Sequence, residues 1–171
     1  MKRSLIIMLF FIGACMSGKD YLLLRQDKND RYCYVNSKGD TVIAPGKYSI
    51  CYTDTFRNFA IVEKPSAGFI GINRDEKVLF EVFPFDNGPD YISDGYFRIT
   101  RNGKIGYADR NGDVKISPQF GCAFPFQNGI AKVGQDCKTI ADGEHSVWVT
   151  DAWFYINKSG KQVRPVRTDG R

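Results

Sequence analysis

Short apolar runs alternate with polar positions along this chain and break every few residues at Gly, Asn, Asp or Pro. After residue 20 no window sustains the i, i+3, i+4, i+7 apolar spacing of an amphipathic helix, so strands are expected and helix should be scarce. The clearest stretch is Lys104–Val133. A strand over Ile105–Ala108 ends at Asp109, a tight turn is expected at Asn111-Gly112, and a second strand over Val114–Ile116 leads to a break at Pro118 and an aromatic at Phe120. Phe124-Pro125-Phe126, a polar turn at Asn128-Gly129 and a third strand over Ile130–Val133 come next. Asn-Gly between short alternating runs signals a hairpin, because the favoured two-residue turn needs positive φ at both central positions.

Weaker copies of that stretch recur. With Asp109 as the anchor, equivalent positions fall at Asn36, Asn73 and Asn157, at spacings of 37, 36 and 48 residues. The first copy runs Tyr32-Cys33-Tyr34-Val35-Asn36 to Gly39, then Val42-Ile43, Tyr48, Phe56 and Ala60–Val62. The second runs Phe69–Asn73, Val78–Phe83, Ser93-Asp94-Gly95 and Phe97–Ile99, and the last is a half copy, Trp153–Gly160.

The unit resembles a WG β-repeat at Gly106, Tyr107, Asp109, Gly112, Pro118, Phe120, Phe126, Gly129, Ala131 and Val133, although Ile105 stands where that family has Trp. The resemblance spans about Arg31 to Val163. It implies an all-β, antiparallel array of short three-stranded units, about three copies plus a half copy, with little helix outside the leader. One unit cannot bury its apolar face alone, so neighbours must cover each other. An open curled array is expected, with a closed barrel-like ring as the alternative.

The front of the chain reads differently. Lys2 and Arg3 precede an uninterrupted apolar run, Leu5–Ile12, followed by small residues. The run is too short for the roughly 20 residues that span a bilayer, so 1–14 reads as a signal peptide. Ile12-Gly13-Ala14-Cys15 resembles a bacterial lipobox, which implies acylation of the Cys15 thiol and cleavage before it; ordinary cleavage nearby is the alternative. Two or three acyl chains hold a protein firmly on a membrane where one binds marginally. Residues 15–30 are then either a polar tether or the start of the first strand, the repeat domain covers 31–163, and 164–171 form a basic tail.

Loss of Lys2 and Arg3 with the leader would lower the net charge from +5 to +3. That is too mild for a nucleic-acid partner, whose binding domains carry a concentrated basic stripe. Lys158, Lys161, Arg164, Arg167 and Arg171 cluster near the C-terminus, where a solvated tail is the plain expectation.

Cys33, Cys51, Cys122 and Cys137 remain after Cys15. In an exported chain they are candidate disulfide partners, Cys33 with Cys51 and Cys122 with Cys137 by proximity; buried free thiols are the alternative. No metal site or cofactor is expected. Asp109-x-Asn111-x-Asp113 has the oxygen spacing of a calcium loop but continues with Val114 and Phe120 where Gly and Glu belong, so a turn stabilised by Asx side chains is expected. His145, the single histidine, lies in a polar insert and gives no case for catalysis.

That insert, about a dozen residues around Cys137–Asp151, is the one departure from the period, and insertions in arrays often mark a binding face. Trp148, Trp153 and Tyr155 at its end are candidate binding residues, with core strands as the competing assignment. The expectation is a non-enzymatic cell-envelope lipoprotein that binds a protein or glycan partner, on the outer membrane or periplasmic face. The alternatives are a small glycan-active hydrolase, with a carboxylate pair beside exposed aromatics, and a structural spacer. Cells fed labelled palmitate should incorporate it into this chain, and Cys15→Ala should abolish both the label and membrane fractionation; a labelled Cys15→Ala chain would refute the anchor.

Overall fold

The computed structural model describes residues 21–143 and 145–164. The leader, Cys15, Arg167 and Arg171 lie outside the described residues. Within them the fold is all-β and antiparallel, and no residue is helical. Of the two alternatives for 15–30, Leu22–Gln26 takes the second: it is strand β1, with Leu22 fully buried, so no tether runs through these residues.

Four three-stranded meanders succeed one another. The first is β1, β2 (Tyr32–Val35) and β3 (Thr41–Ile43), followed by short β4 (Ile50–Cys51) and β5 (Thr55–Phe56). The second is β6 (Phe59–Lys64), β7 (Gly68–Asn73) and β8 (Val78–Val82), followed by β9 (Pro84–Phe85) and β10 (Gly88–Pro89). The third is β11 (Tyr96–Arg101), β12 (Lys104–Asp109) and β13 (Val114–Phe120), with β14 (Cys122–Ala123) after it. The fourth is β15 (Ile130–Gly134), β18 (Trp153–Asn157) and β19 (Gln162–Val163), interrupted by a separate hairpin of β16 (Lys138–Asp142) and β17 (His145–Val149). The strand that the half copy lacked is therefore Ile130–Gly134, which the sequence repeat assigns to the end of the preceding copy.

Each anchor builds the same loop between the second and third strands of its meander. The Oδ1 atoms of Asn36, Asn73, Asp109 and Asn157 each accept the backbone N–H groups two and four residues on, at 2.8–3.1 Å. Asp27 makes the identical loop between β1 and β2, a fifth instance that the repeat spacing does not reveal. The residue three after each anchor has positive φ: Asp30, Gly39, Glu76, Gly112 and Gly160. At Asn111-Gly112 only the glycine is left-handed, so the turn is a three-residue loop closed by a bulge, because Asp109 captures the two amides and holds the intervening residues right-handed. Paired positive φ occurs instead at Asn102-Gly103, Asp94-Gly95 and Asn128-Gly129.

The meanders join edge to edge and face to face. β8 pairs with β11 and β4 with β6, which makes one seven-stranded sheet of the second and third units. Alternation along β6 sends Ala60 and Val62 into one apolar cluster while Phe59 and Ile61 pack on the next. The second cluster is closed by the sheet's own strands, since Phe80, Val82, Phe97, Ile99 and Ala108 all belong to it. Among the described residues no strand of the first meander pairs with one of the fourth, so the array is open.

Gly106 sits at a close approach of two backbones. A Cβ on it would run into the Ile116 carbonyl oxygen and lie 2.5 Å from the Pro118 nitrogen, both backbone atoms that cannot swing away. Gly106→Ala should therefore lower stability by about 3 kcal/mol in urea unfolding. Gly39→Ala, with a positive φ but open space around it, should lose only about 1 kcal/mol. Equal losses would contradict the close-approach argument.

Candidate functional site

Cross-strand pairing places one residue from each strand of a meander in a row on a single face. The four rows are Leu24–Tyr34–Ile43, Ile61–Gly71–Phe80, Arg98–Tyr107–Ile116 and Lys132–Tyr155–Val163. Later residues of the chain cover the first three rows. Tyr34 and Ile43 pack with Phe56, Val62 and Ile72; Phe80 with Phe97 and Ile99; Tyr107 and Ile116 with Phe126, Val133 and Ile156. All three residues of the fourth row are only half-buried, and together they line an open groove of about 870 Å³.

Phe124, Pro125, Gln127, Asn128, Ile130 and Arg164 make up the rest of the groove's lining. Among the described residues its only charged lining residues are Lys132 and Arg164. The Lys132 ammonium sits 4.5 Å from the Trp153 ring centroid and 5.8 Å from that of Phe124, within cation–π range of both. Among the described residues it has no carboxylate partner.

Both tryptophans meet the Phe124 ring, Trp148 at 5.7 Å and Trp153 at 5.5 Å, and Phe124 remains 41% exposed. Trp148 also packs edge-on against Phe83. It thereby docks the inserted hairpin on the body, while the opposite hairpin face leaves Ile140, Val147 and Val149 exposed. Of the three candidate binding residues, Tyr155 lines the groove; Trp153 lies under Lys132, and Trp148 buttresses Phe124 from the insert.

Tyrosine hydroxyls distinguish covered from uncovered rows. Tyr34 donates to the Thr53 carbonyl at 2.8 Å and Tyr107 to the Phe124 carbonyl at 2.7 Å. Burial pushes both phenols well above their ordinary pKa, so both remain donors throughout the neutral range. Tyr155, at the same row position, has no hydrogen-bond partner among the described residues.

A buried ion pair lies in the third row, and nothing in the repeat spacing points to it. Arg98 is 3% exposed and Asp90 4%. Asp90 accepts the Arg98 backbone amide at 2.7 Å, its Nε at 3.0 Å and its Nη2, while Nη1 donates to the Ala123 carbonyl. The guanidinium carbon lies 4.2 Å from the Phe83 ring centroid. This pair fixes Phe83, on which Trp148 rests.

Cys122 and Cys137 form a disulfide across 15 residues, tying the base of the inserted hairpin to β14. Closing a loop of that length contributes about 3 kcal/mol through the unfolded state. Cys33 and Cys51 are buried and free, so the candidate bridge between them is not formed. Cys51 packs in the cluster that holds Tyr34, whereas Cys33 precedes Tyr34 in β2 and so leaves the strand on the other face. Burial, foremost, pushes the Cys51 thiol up to about 11.

The Asp109–Asp113 loop holds amides, and Lys115 bridges both carboxylates at 3.0 and 3.2 Å. Partial burial opposes ionisation of Asp109, but the lysine and the two amides outweigh it and keep its carboxyl below the ordinary range. His145 lies in β17 opposite Asp142, so the polar insert is a hairpin rather than a loop. Lys158 is not part of a free tail: it pairs with Asp94 at 3.1 Å, over the Tyr96 ring. The Gly129 amide first, and Lys158 second, hold the Asp94 carboxyl below its ordinary pKa.

Within the described residues the fold defines an all-β protein of tandem three-stranded meanders, with the row of the fourth left uncovered. The family model described as the WG containing repeat matches residues 105–137, which supports a WG-repeat protein. That stretch takes the last two strands of the third meander and the first of the fourth, so it crosses the joint that the Arg98–Tyr107–Ile116 row fills. No curated protein and no solved structure matches the chain.

Asp90→Ala should cost about 3–5 kcal/mol in urea unfolding, because it strands the buried guanidinium. Pairing Asp90→Leu with Arg98→Met should recover most of that loss. A single variant as stable as wild type would show that the pair contributes nothing.

Proposed function

We propose that this chain is a non-enzymatic binding module of the cell envelope, held at a membrane through lipidated Cys15, that engages a protein or glycan partner through the fourth-row groove. The observation that carries the reading is the equivalence of the rows. In the first three rows the residues on the second and third strands are buried, whereas every residue of the fourth is half-buried and that row offers an apolar floor with polar heads. An exposed surface of that kind, bordered by polar groups, is typical of an interaction site.

Aromatic residues at its centre fit the composition of binding hot spots. Among the described residues the groove lining includes no Asp or Glu, which favours binding over a two-carboxylate hydrolysis. The disulfide suits the oxidising side of an envelope. The Cys15 anchor rests on the lipobox resemblance alone.

The test is recovery of bound material from native envelopes by tagged wild-type chain and by a Phe124→Ser, Tyr155→Ser double variant. Both residues line the groove, so the variant should keep the far-ultraviolet circular dichroism of the β fold yet lose the species that wild type retains. Identical recovery by both chains would reject this groove as the binding surface.

A further inference from the structure

We infer that the Lys132–Tyr155–Val163 row is a docking site for an extended acidic peptide segment of a partner protein. This rests on the reading of the groove as a binding surface and names the chemistry of its occupant.

The third row shows how this surface is filled when it is covered. There Arg98 takes the place of Lys132 and Tyr107 that of Tyr155. Extended backbone lies across them: the carbonyls of Ala123 and Phe124, consecutive residues, accept from Arg98 Nη1 and Tyr107 Oη. A carboxylate, Asp90, neutralises the cation. The fourth row repeats the donors and lacks the acceptors. Tyr155 keeps a hydroxyl with no carbonyl, and Lys132 keeps an ammonium with no carboxylate, among the described residues. An extended chain carrying Asp or Glu would supply both. Gln127 and Asn128 at the rim add amides that suit a peptide backbone.

Charge and ring geometry narrow the class. Among the described residues both charged groups lining the groove are cations, which favours an anionic occupant. Two of the three aromatics a sugar ring could stack on are already engaged, Trp153 by Lys132 and Phe124 by both tryptophans, which leaves the Tyr155 ring alone. The row lies on the face of the β14–β15–β18–β19 sheet, where side chains rather than free backbone groups are presented. Recognition therefore works through the side-chain heads and tolerates many apolar neighbours in the peptide.

The experiment selects a displayed random-peptide library on the full mature chain and titrates the recovered peptides by intrinsic tryptophan emission. The chain has two tryptophans, Trp148 and Trp153, and both touch Phe124, so the emission reports from this site. Recovered peptides should be enriched in Asp and Glu. Their affinity should fall roughly tenfold or more with Lys132→Met, as expected for loss of a charge-assisted contact. Tyr155→Phe should weaken binding by a smaller factor. Replacing the peptide's acid with its amide should add nothing further once Lys132 is Met.

The inference is overturned if selection enriches no acids, if Lys132→Met leaves affinity unchanged, or if no peptide is recovered. It is also overturned if hexagalacturonate alters the emission with the same dependence on Lys132. That last result would keep the groove as a binding surface and assign it to an acidic glycan, whereas the envelope experiment judges the binding surface independently of either ligand.

Discussion

The covering of each meander's face by its successor in the chain is the constraint on which the rest of this molecule depends. A lone three-stranded sheet has little apolar burial to set against the entropy of ordering its chain. Here the row of one unit becomes the floor of the next cluster: Tyr34 and Ile43 pack under the second meander, and Tyr107 and Ile116 under the fourth. The Asx loops serve this arrangement locally. By capturing two amides each, they hold the second and third strands in a fixed register and keep the row residues abreast.

That register explains where the charged groups lie. Arg98 occupies a row position held elsewhere by Leu24 and Ile61, and it is accommodated because Asp90, the Ala123 carbonyl and a phenyl ring satisfy it. A buried pair of this kind adds little net stability over apolar residues of similar size, yet removal of one member is costly. Its structural effect is to place Phe83, and through Phe83 the Trp148 side of the inserted hairpin. The hairpin is fastened at its base by the disulfide and along one face by Trp148.

The sheet content, the four anchors and the insert were legible in the sequence because each rests on local chemistry. Asn-Gly and Asp-Gly pairs punctuate strands, and Asx residues mark turns. The phase of the units was not legible. The sequence repeat ends its copy at Val133, but β15 pairs forward with β18 across a gap that contains the whole hairpin. Asp27 was hidden for a similar reason: it sits nine residues before Asn36, outside the period. Strand alternation could have separated Cys33 from Cys51, since Cys33 adjoins the core residue Tyr34. The Arg98–Asp90 pair had no such signal, because its partners come from a connecting segment of no fixed length. Trp153 and Tyr155 were visible as candidates, but which face they occupy depends on the strand pairing.

The array also has a direction. Because each unit is roofed by its successor, its two ends are chemically unlike, and growth by duplication of a unit would move the bare row outward without altering the interfaces behind it. Trimming whole units would not be equivalent. Cut back to the second meander, the array would end in Ile61, Gly71 and Phe80, an aliphatic and aromatic stripe without a single hydrogen-bonding side chain. Among the described residues the fourth row carries an ammonium and a phenol, groups that can meet water where no further unit roofs them.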